Sequence, residues 1–229
     1  MLKIYGVPIS VHTRKVVVNA LHKELAYEVI SVVPVIPGNP PPDWRTLSPT
    51  GLIPVLQDGD FTLGDSAAIC AYLERRHPGR PLMPRDDRAH ARALWFEQYA
   101  GGTVFASVVH PLFRETFVQP QVHKIRADQG KIDTVLTEVV PEVFGYLDSV
   151  AGDAFLAGAE PSLADVAVTS NLVTMQYIGF ALDAARFPRL AGLFERTIAF
   201  PAMRQALRNE QPVVQSMGLQ SDFLRAVLV

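Results

Sequence analysis

Asp65 and Ser66 stand at a point in the chain where an anion can be held. They close the stretch S-P-T-G-L-I-P-V-L-Q-D-G-D-F-T-L-G-D-S (48–66). Two short apolar runs, 53–56 and 61–63, flank Asp58-Gly59-Asp60, and Asp-Gly is a strong hairpin signal. Pro54 sits at the mouth of the first run, where it has no N–H to give a sheet ladder. Gly64-Asp65-Ser66 then opens the helix-like run A-A-I-C-A-Y-L-E-R-R-H. A hairpin thus delivers its last residues onto a helix N-terminus, whose unpaired N–H groups and positive dipole end favour negative charge. Taken alone, Asp65-Ser66 is also what an ordinary N-cap looks like.

Other chemistries lack their residues. There is no G-x-S-x-G, P-loop, G-x-G-x-x-G or H-E-x-x-H. The six histidines are scattered and one cysteine cannot build a thiolate metal site, so no metal is expected. Cys70, inside A-I-C-A-Y-L, reads as a small core residue rather than a catalytic thiol. A single cysteine also excludes an internal disulfide framework and suits a reducing compartment. The formal charge of −2 gives no electrostatic case for nucleic acid or anionic membrane. No apolar run approaches a membrane span, and Lys3, Arg14 and Lys15 interrupt any signal-peptide pattern. With 48% apolar and 19% charged residues, the chain reads as a cytoplasmic globular protein with a substantial core.

The elements that position Asp65 and Ser66 follow from the pattern. Leu2-Lys3-Ile4-Tyr5-Gly6 reads as a strand, Val16, Val17, Ala20 and Leu21 recur at helical spacing, and 26–33 is a β-branched second strand. That order suggests a parallel pair with a right-handed crossover. Residues 34–42 hold five prolines and form a restricted loop. The hairpin and a helix over about 65–77 complete β-α-β, a connection, then β-β-α. Pro78, Gly79, Pro81 and Pro84 break the chain, placing a domain over 1–78, a linker over 79–85 and a second domain over 86–229.

Beyond Arg85 the periodicity is helical throughout. Gly101-Gly102 is read as a bend and Pro141 as a kink. Phe105, Val108, Val109, Leu112 and Phe113 form an apolar stripe. Ser162-Leu163-Ala164-Asp165 is a capping-box variant serving folding. Helices over 162–177, 188–199 and 201–209 complete an all-α domain.

In this order the residues resemble the cytosolic glutathione S-transferases. S-P-T-G-L-I-P is similar to the family's N-P-x-x-x-[VIL]-P pattern, and G-D-S-A-A-I-C-A-Y-L to its E/D-S-x-A-I-x-x-Y-L pattern. The breaker linker and S-L-A-D-V match in order and spacing, so the resemblance covers nearly the whole chain. It implies an α+β/α architecture: an N-terminal thioredoxin-like βαβ-ββα domain followed by an all-α C-terminal bundle. It implies glutathione as co-substrate, conjugated to small hydrophobic electrophiles or used to reduce hydroperoxides, and a homodimer.

The resemblance also implies roles. Pro54 is cis, turning the backbone of Ile53 to the cysteinyl part of glutathione. Asp65 meets the γ-glutamyl ammonium, and Ser66 with its helix N–H meets the carboxylate. Ser-type members carry a serine after the first strand with an arginine four residues on, which Ser10 and Arg14 match. Ser10 donates to the glutathione sulfur, with Thr13 as the second candidate and His12 the third; the bare reading of Ser10 is a helix cap. Tyr5 lies within the first strand and is the weaker alternative. Val11, His12, Phe105, Val109 and Phe113 are assigned to the electrophile pocket. One departure stands out: Leu52 occupies the position where many relatives hold the glycine carboxylate with a polar or basic residue. Arg45 or Trp44 is left to take that part. The missing anchor favours a rival reading, a non-catalytic binding or scaffold protein of this fold that has lost strong glutathione affinity.

Overall fold

The computed structural model describes residues 1–228. Strand β1 (Leu2–Gly6) buries Leu2, Ile4 and Gly6 and exposes Lys3, the alternation of a strand with one covered face. Helix α1 (Val11–His22) returns the chain to β2 (Tyr27–Ser31), which pairs with β1 in parallel, Ile4 facing Val29. The strand is shorter than the predicted 26–33. After one helical turn, α2 (Trp44–Leu47), come β3 (Val55–Asp58) and β4 (Phe61–Gly64). The sheet order is β2-β1-β3-β4, with β3 antiparallel to both neighbours. Gly59, first residue of the two-residue hairpin loop, has φ +63, a conformation that glycine adopts without Cβ conflict. Helix α3 (Ser66–Arg76) packs beside α1.

Residues 77–86 carry no helix, but they are docked. Leu82 is buried, its N–H donates to Glu74 at 3.2 Å, and its carbonyl accepts from Leu163 N at 2.9 Å.

The rest is helical: α4 (Asp87–Tyr99), α5 (His110–Phe113), α6 (Gln129–Thr134), α7 (Val140–Val150), α8 (Leu163–Tyr177), α9 (Pro188–Ala199), α10 (Pro201–Ser216) and a last turn, α11 (Arg225–Leu228). Wide, π-type turns run through Ala100–Val109, Arg114–His123 and Val135–Val139. Where a bend was expected at Gly101-Gly102 the helix instead widens. Pro111, Pro120 and Pro141 each lie within or just after such a stretch. A proline lacks an N–H and crowds the carbonyl four residues back, and an i→i+5 turn relieves both problems. Helix α10 continues seven residues past the predicted end at 209 (216 − 209), through Pro212.

Helix α8 is buried along nearly its whole length and packs on α1 and α4. Its capping box forms: Asp165 accepts from Ser162 N and Leu156 N at 2.8 Å and from Ser162 Oγ at 2.7 Å. Helix α1 lies between the sheet and the C-terminal helices, so its cations are buried against carboxylates. Arg14 pairs with Glu210, Lys15 with Glu97 and Lys23 with Glu74. Among the described residues no helix is long and apolar enough to cross a membrane.

Candidate functional site

The N-terminal turns of α1 and α3 meet. Ser10 caps α1 with extended backbone (φ −66, ψ 130), and Asp65 caps α3. His12, in the first turn of α1, places Nδ1 3.4 Å from Ser66 Oγ in the first turn of α3. The other side of the His12 ring meets Phe105 edge-on, with centroids 4.5 Å apart. Residues from both α-helices and from the C-terminal domain therefore share one junction. Burial, and secondarily the charge of Lys15, lower the His12 pKa to about 4 against the opposing pull of Asp65. The ring is neutral at pH 7.

Asp65 has φ +69, a backbone region that a non-glycine residue occupies only at a cost of about 1–3 kcal/mol. Its Oδ1 accepts from the N–H groups of Ala67 and Ala68 at 2.9 and 3.0 Å. The cap uses one carboxylate oxygen. The Ser66 N–H, first of the helix, has no partner among the described residues. The Ile53–Pro54 peptide bond is cis, and no hydrogen bond inside the described chain engages the Ile53 N–H or carbonyl.

The Ser10 hydroxyl accepts from Thr13 N at 3.5 Å, the long limit of a hydrogen bond, and its own proton is free to be given elsewhere. Thr13 is wholly buried, with its hydroxyl packed against Gly6, so it is not placed to reach a ligand. Tyr5 donates to Gln57 across the sheet at 3.0 Å. Cys70 is buried, and burial pushes its thiol up to about 11, which fits a packing role.

Three of the predicted site residues are engaged elsewhere among the described residues. Val11 is 4% exposed and belongs to the core under α1, because the first helical position points inward between sheet and bundle. Val109 is 1% exposed and is core for the same reason of enclosure. Arg45 lies folded over Gly51 and donates to the Pro49 carbonyl at 3.1 Å, so it braces the turn before Leu52. Trp44 is also engaged, its indole N–H on the Gly51 carbonyl at 3.1 Å. Phe105 lines the junction, while Phe113 stacks on Phe117 at 5.1 Å. Leu52 is 66% exposed. A cavity of about 230 Å³ between Tyr27, Val29, Ala206 and Glu210 contains none of the predicted site residues. Among the described residues no group of three or more His, Cys, Asp or Glu is placed to hold a metal.

What sequence reasoning missed is the seam around Arg14. Arg14 Nε donates to both Glu210 oxygens at 3.0 and 3.1 Å, Nη1 to the Ser170 carbonyl at 2.8 Å and Thr174 Oγ1 at 3.2 Å, and Nη2 to the Ile9 carbonyl at 3.1 Å. Tyr177 donates to Glu210 at 2.6 Å. The ion-pair partners are 196 residues apart, and no local pattern marks such a pair.

Comparison with known proteins shows what the chain is similar to. The family described as "Glutathione S-transferase, N-terminal domain" matches residues 4–81, and "Glutathione S-transferase, C-terminal domain" matches 113–209. Glutathione S-transferase Z2 of Arabidopsis thaliana is 29% identical, with 92% of each chain covered. Maleylacetoacetate isomerase of Pseudomonas aeruginosa is 30% identical, covering 75% of this chain and 78% of that one. A crystal structure of a glutathione S-transferase from Rhodospirillum rubrum F11 superposes with a TM-score of 0.80 at 24% identity, covering 90% of this chain and 92% of that chain.

Proposed function

The chain belongs to the glutathione S-transferase family, and from that premise we propose that it is a glutathione transferase acting on small hydrophobic electrophiles. The observation that carries the reading is the junction of the two helix N-termini, where His12 Nδ1 stands 3.4 Å from Ser66 Oγ. In this reading the γ-glutamyl carboxylate of glutathione takes the Ser66 N–H and hydroxyl, where the dipole of α3 favours it. The ammonium faces the Asp65 carboxylate, and the cysteinyl backbone pairs with Ile53. The thiol then lies against the Ser10 hydroxyl.

Ser10 is the proposed thiol-activating group. A free thiol has a pKa near 8.5, and lowering it by about two units takes about 2.7 kcal/mol of preference for the thiolate. One hydrogen bond to the charged sulfur plus the dipole of α1 supplies energy of that order. The thiolate attacks the electrophile in a pocket to which Phe105 and the uncharged His12 contribute. Reduction of hydroperoxides would use the same thiolate.

Turnover of a chlorinated aromatic electrophile by wild type and Ser10→Ala tests the assignment; equal rates would remove Ser10 from its role. Calorimetry with millimolar glutathione tests the larger claim. No heat and no thermal shift would sink the enzyme and leave the non-catalytic scaffold. A second reading, isomerisation, is favoured by the identity to the protein named maleylacetoacetate isomerase, and assay with maleylacetoacetate decides it. We further propose a cytoplasmic homodimer. The exposed side chains of Phe61, Leu94 and Trp95 offer apolar surface for a second copy, and light scattering measures the state.

A further inference from the structure

We infer that Thr174 and Arg14, the latter held by Glu210, are positioning residues for Ser10, acting through the peptide unit that joins Ile9 to Ser10. The inference rests on the reading of Ser10 given above.

The Ser10 cap does not itself fix the hydroxyl, because its contact with Thr13 N is 3.5 Å long. The backbone before it is held far more firmly. The Ile9 carbonyl accepts from Arg14 Nη2 at 3.1 Å and from Thr174 Oγ1 at 3.3 Å. On the other edge of the same peptide plane, the Ser10 N–H donates to the Val7 carbonyl at 3.0 Å. A peptide unit is rigid and planar, so three hydrogen bonds on its two edges set its orientation, and with φ of Ser10 held at −66 by the helix that follows, where the Ser10 carbonyl accepts from Arg14 N at 2.8 Å, they set the direction of the Ser10 Cα–Cβ bond.

Two of those bonds come from a buried cage supplied by the C-terminal domain. Thr174, on α8, contributes its hydroxyl directly. Arg14 is on α1, but its guanidinium plane is set by both Glu210 oxygens from α10 and by the Ser170 carbonyl from α8. Arg14 and Glu210 side chains are 0% and 1% exposed, so neither swings into solvent. The Tyr177 hydroxyl in turn holds Glu210. The second domain therefore reaches under the N-terminal one and holds the loop that carries the thiol-activating serine. Displacements of about 1 Å in such a group are enough to cost rate.

Thr174→Val tests the clamp, since it keeps the shape, removes the donor to Ile9 together with one acceptor of Arg14 Nη1, and leaves Arg14 its partners on Glu210 and Ser170. Thr174→Ser returns the hydroxyl. Both are measured, with and without Ser10→Ala, for kcat, for KM of glutathione and for the pH profile of kcat/KM with a chlorinated aromatic electrophile. One hydrogen bond corresponds to about a five- to tenfold loss of kcat/KM in Thr174→Val, with the thiolate limb of the pH profile moved upward and KM for glutathione unchanged. Thr174→Ser recovers most of it. Acting through Ser10, the change costs nothing further when added to Ser10→Ala. A Thr174→Val enzyme equal to wild type, one that loses only KM for glutathione, or one whose loss multiplies in full with that of Ser10→Ala overturns the clamp. If Ser10→Ala alone runs at the wild-type rate, the reading of Ser10 has failed, a result distinct from failure of the clamp. Should Thr174→Val not fold, Tyr177→Phe serves, with a smaller shift of the same sign expected and the same outcomes deciding.

Discussion

His12 Nδ1 and Ser66 Oγ, 3.4 Å apart, tie the first turn of α1 to the first turn of α3, and the Phe105 edge closes on the same imidazole from the C-terminal domain. Three elements distant in sequence thus meet at one ring, which is neutral at pH 7. Burial and Lys15 keep it so, against Asp65.

This has a consequence for stability against pH. The folded-state pKa of His12 is about 4, below the ordinary 6.5. Between those values the unfolded chain binds a proton that the folded one does not, so stability rises with pH across that window. The contribution is present in full above about 6.5 and lost as pH falls through 4, and it amounts to at most about 3 kcal/mol. Melting of wild type and His12→Phe between pH 7.5 and about 4.5 reads it. The wild-type melting temperature should fall more steeply; parallel curves would show that His12 carries no such linkage.

Asp65 separates its two duties under substitution. Asparagine is as good an N-cap as aspartate and tolerates a positive φ, so Asp65→Asn should keep the melting temperature. It removes the charge opposite the proposed ammonium, and glutathione affinity should drop by about 1.5–3 kcal/mol, roughly ten- to a hundredfold. Asp65→Ala should lose the same affinity and also about 1 kcal/mol of stability with the cap. Calorimetry beside thermal melting distinguishes them. If Asp65→Asn binds glutathione like wild type, the residue is a cap alone.

Much of this was legible from the chain, and the limits are physical. The hairpin, the helix opened by Asp65-Ser66 and the Ser162–Asp165 box are local, written in turn and cap chemistry over a few residues. The Ile53-Pro54 assignment and the pairing of Ser10 with Arg14 came from a resemblance between motifs. Val11 and Val109 lie in the core, which a helical stripe does not reveal, since it says which residues are apolar and not whether they face a cleft or a core. Arg45 donates to the Pro49 carbonyl, a partner that no sequence pattern marks for a loop cation. The Arg14 cage was invisible, since its partners lie on helices assembled only in the tertiary fold.

Asp165 is a folding residue and should behave as one. It is wholly buried, and burial pushes its pKa upward while three donors hold the charged form. Asp165→Ala strands the N–H groups of Leu156 and Ser162 and should cost about 3 kcal/mol, more than the roughly 0.5–2 kcal/mol of an ordinary cap because those donors are buried. Denaturant unfolding measures it. The kcat of whatever protein remains folded should equal that of wild type, and a fall in kcat at full folding would assign Asp165 a part in the site.

Lys15 and Glu97 pose the remaining question, whether the seam between α1 and α4 is held by charge or by shape. Both side chains are 4% exposed and in contact, and Gln98 Nε2 donates to the second Glu97 oxygen at 2.7 Å. Removing one partner leaves a bare buried charge, so Lys15→Met or Glu97→Leu alone should cost about 3–5 kcal/mol. The pair's own attraction is largely offset by the desolvation of both ions. The double variant, which fills the same space with apolar groups, should therefore recover to within about 1–2 kcal/mol of wild type. Chemical denaturation of the four proteins closes the cycle. A double variant as unstable as the sum of the singles would mean that the charges, and not the packing beneath them, hold α1 against the second domain.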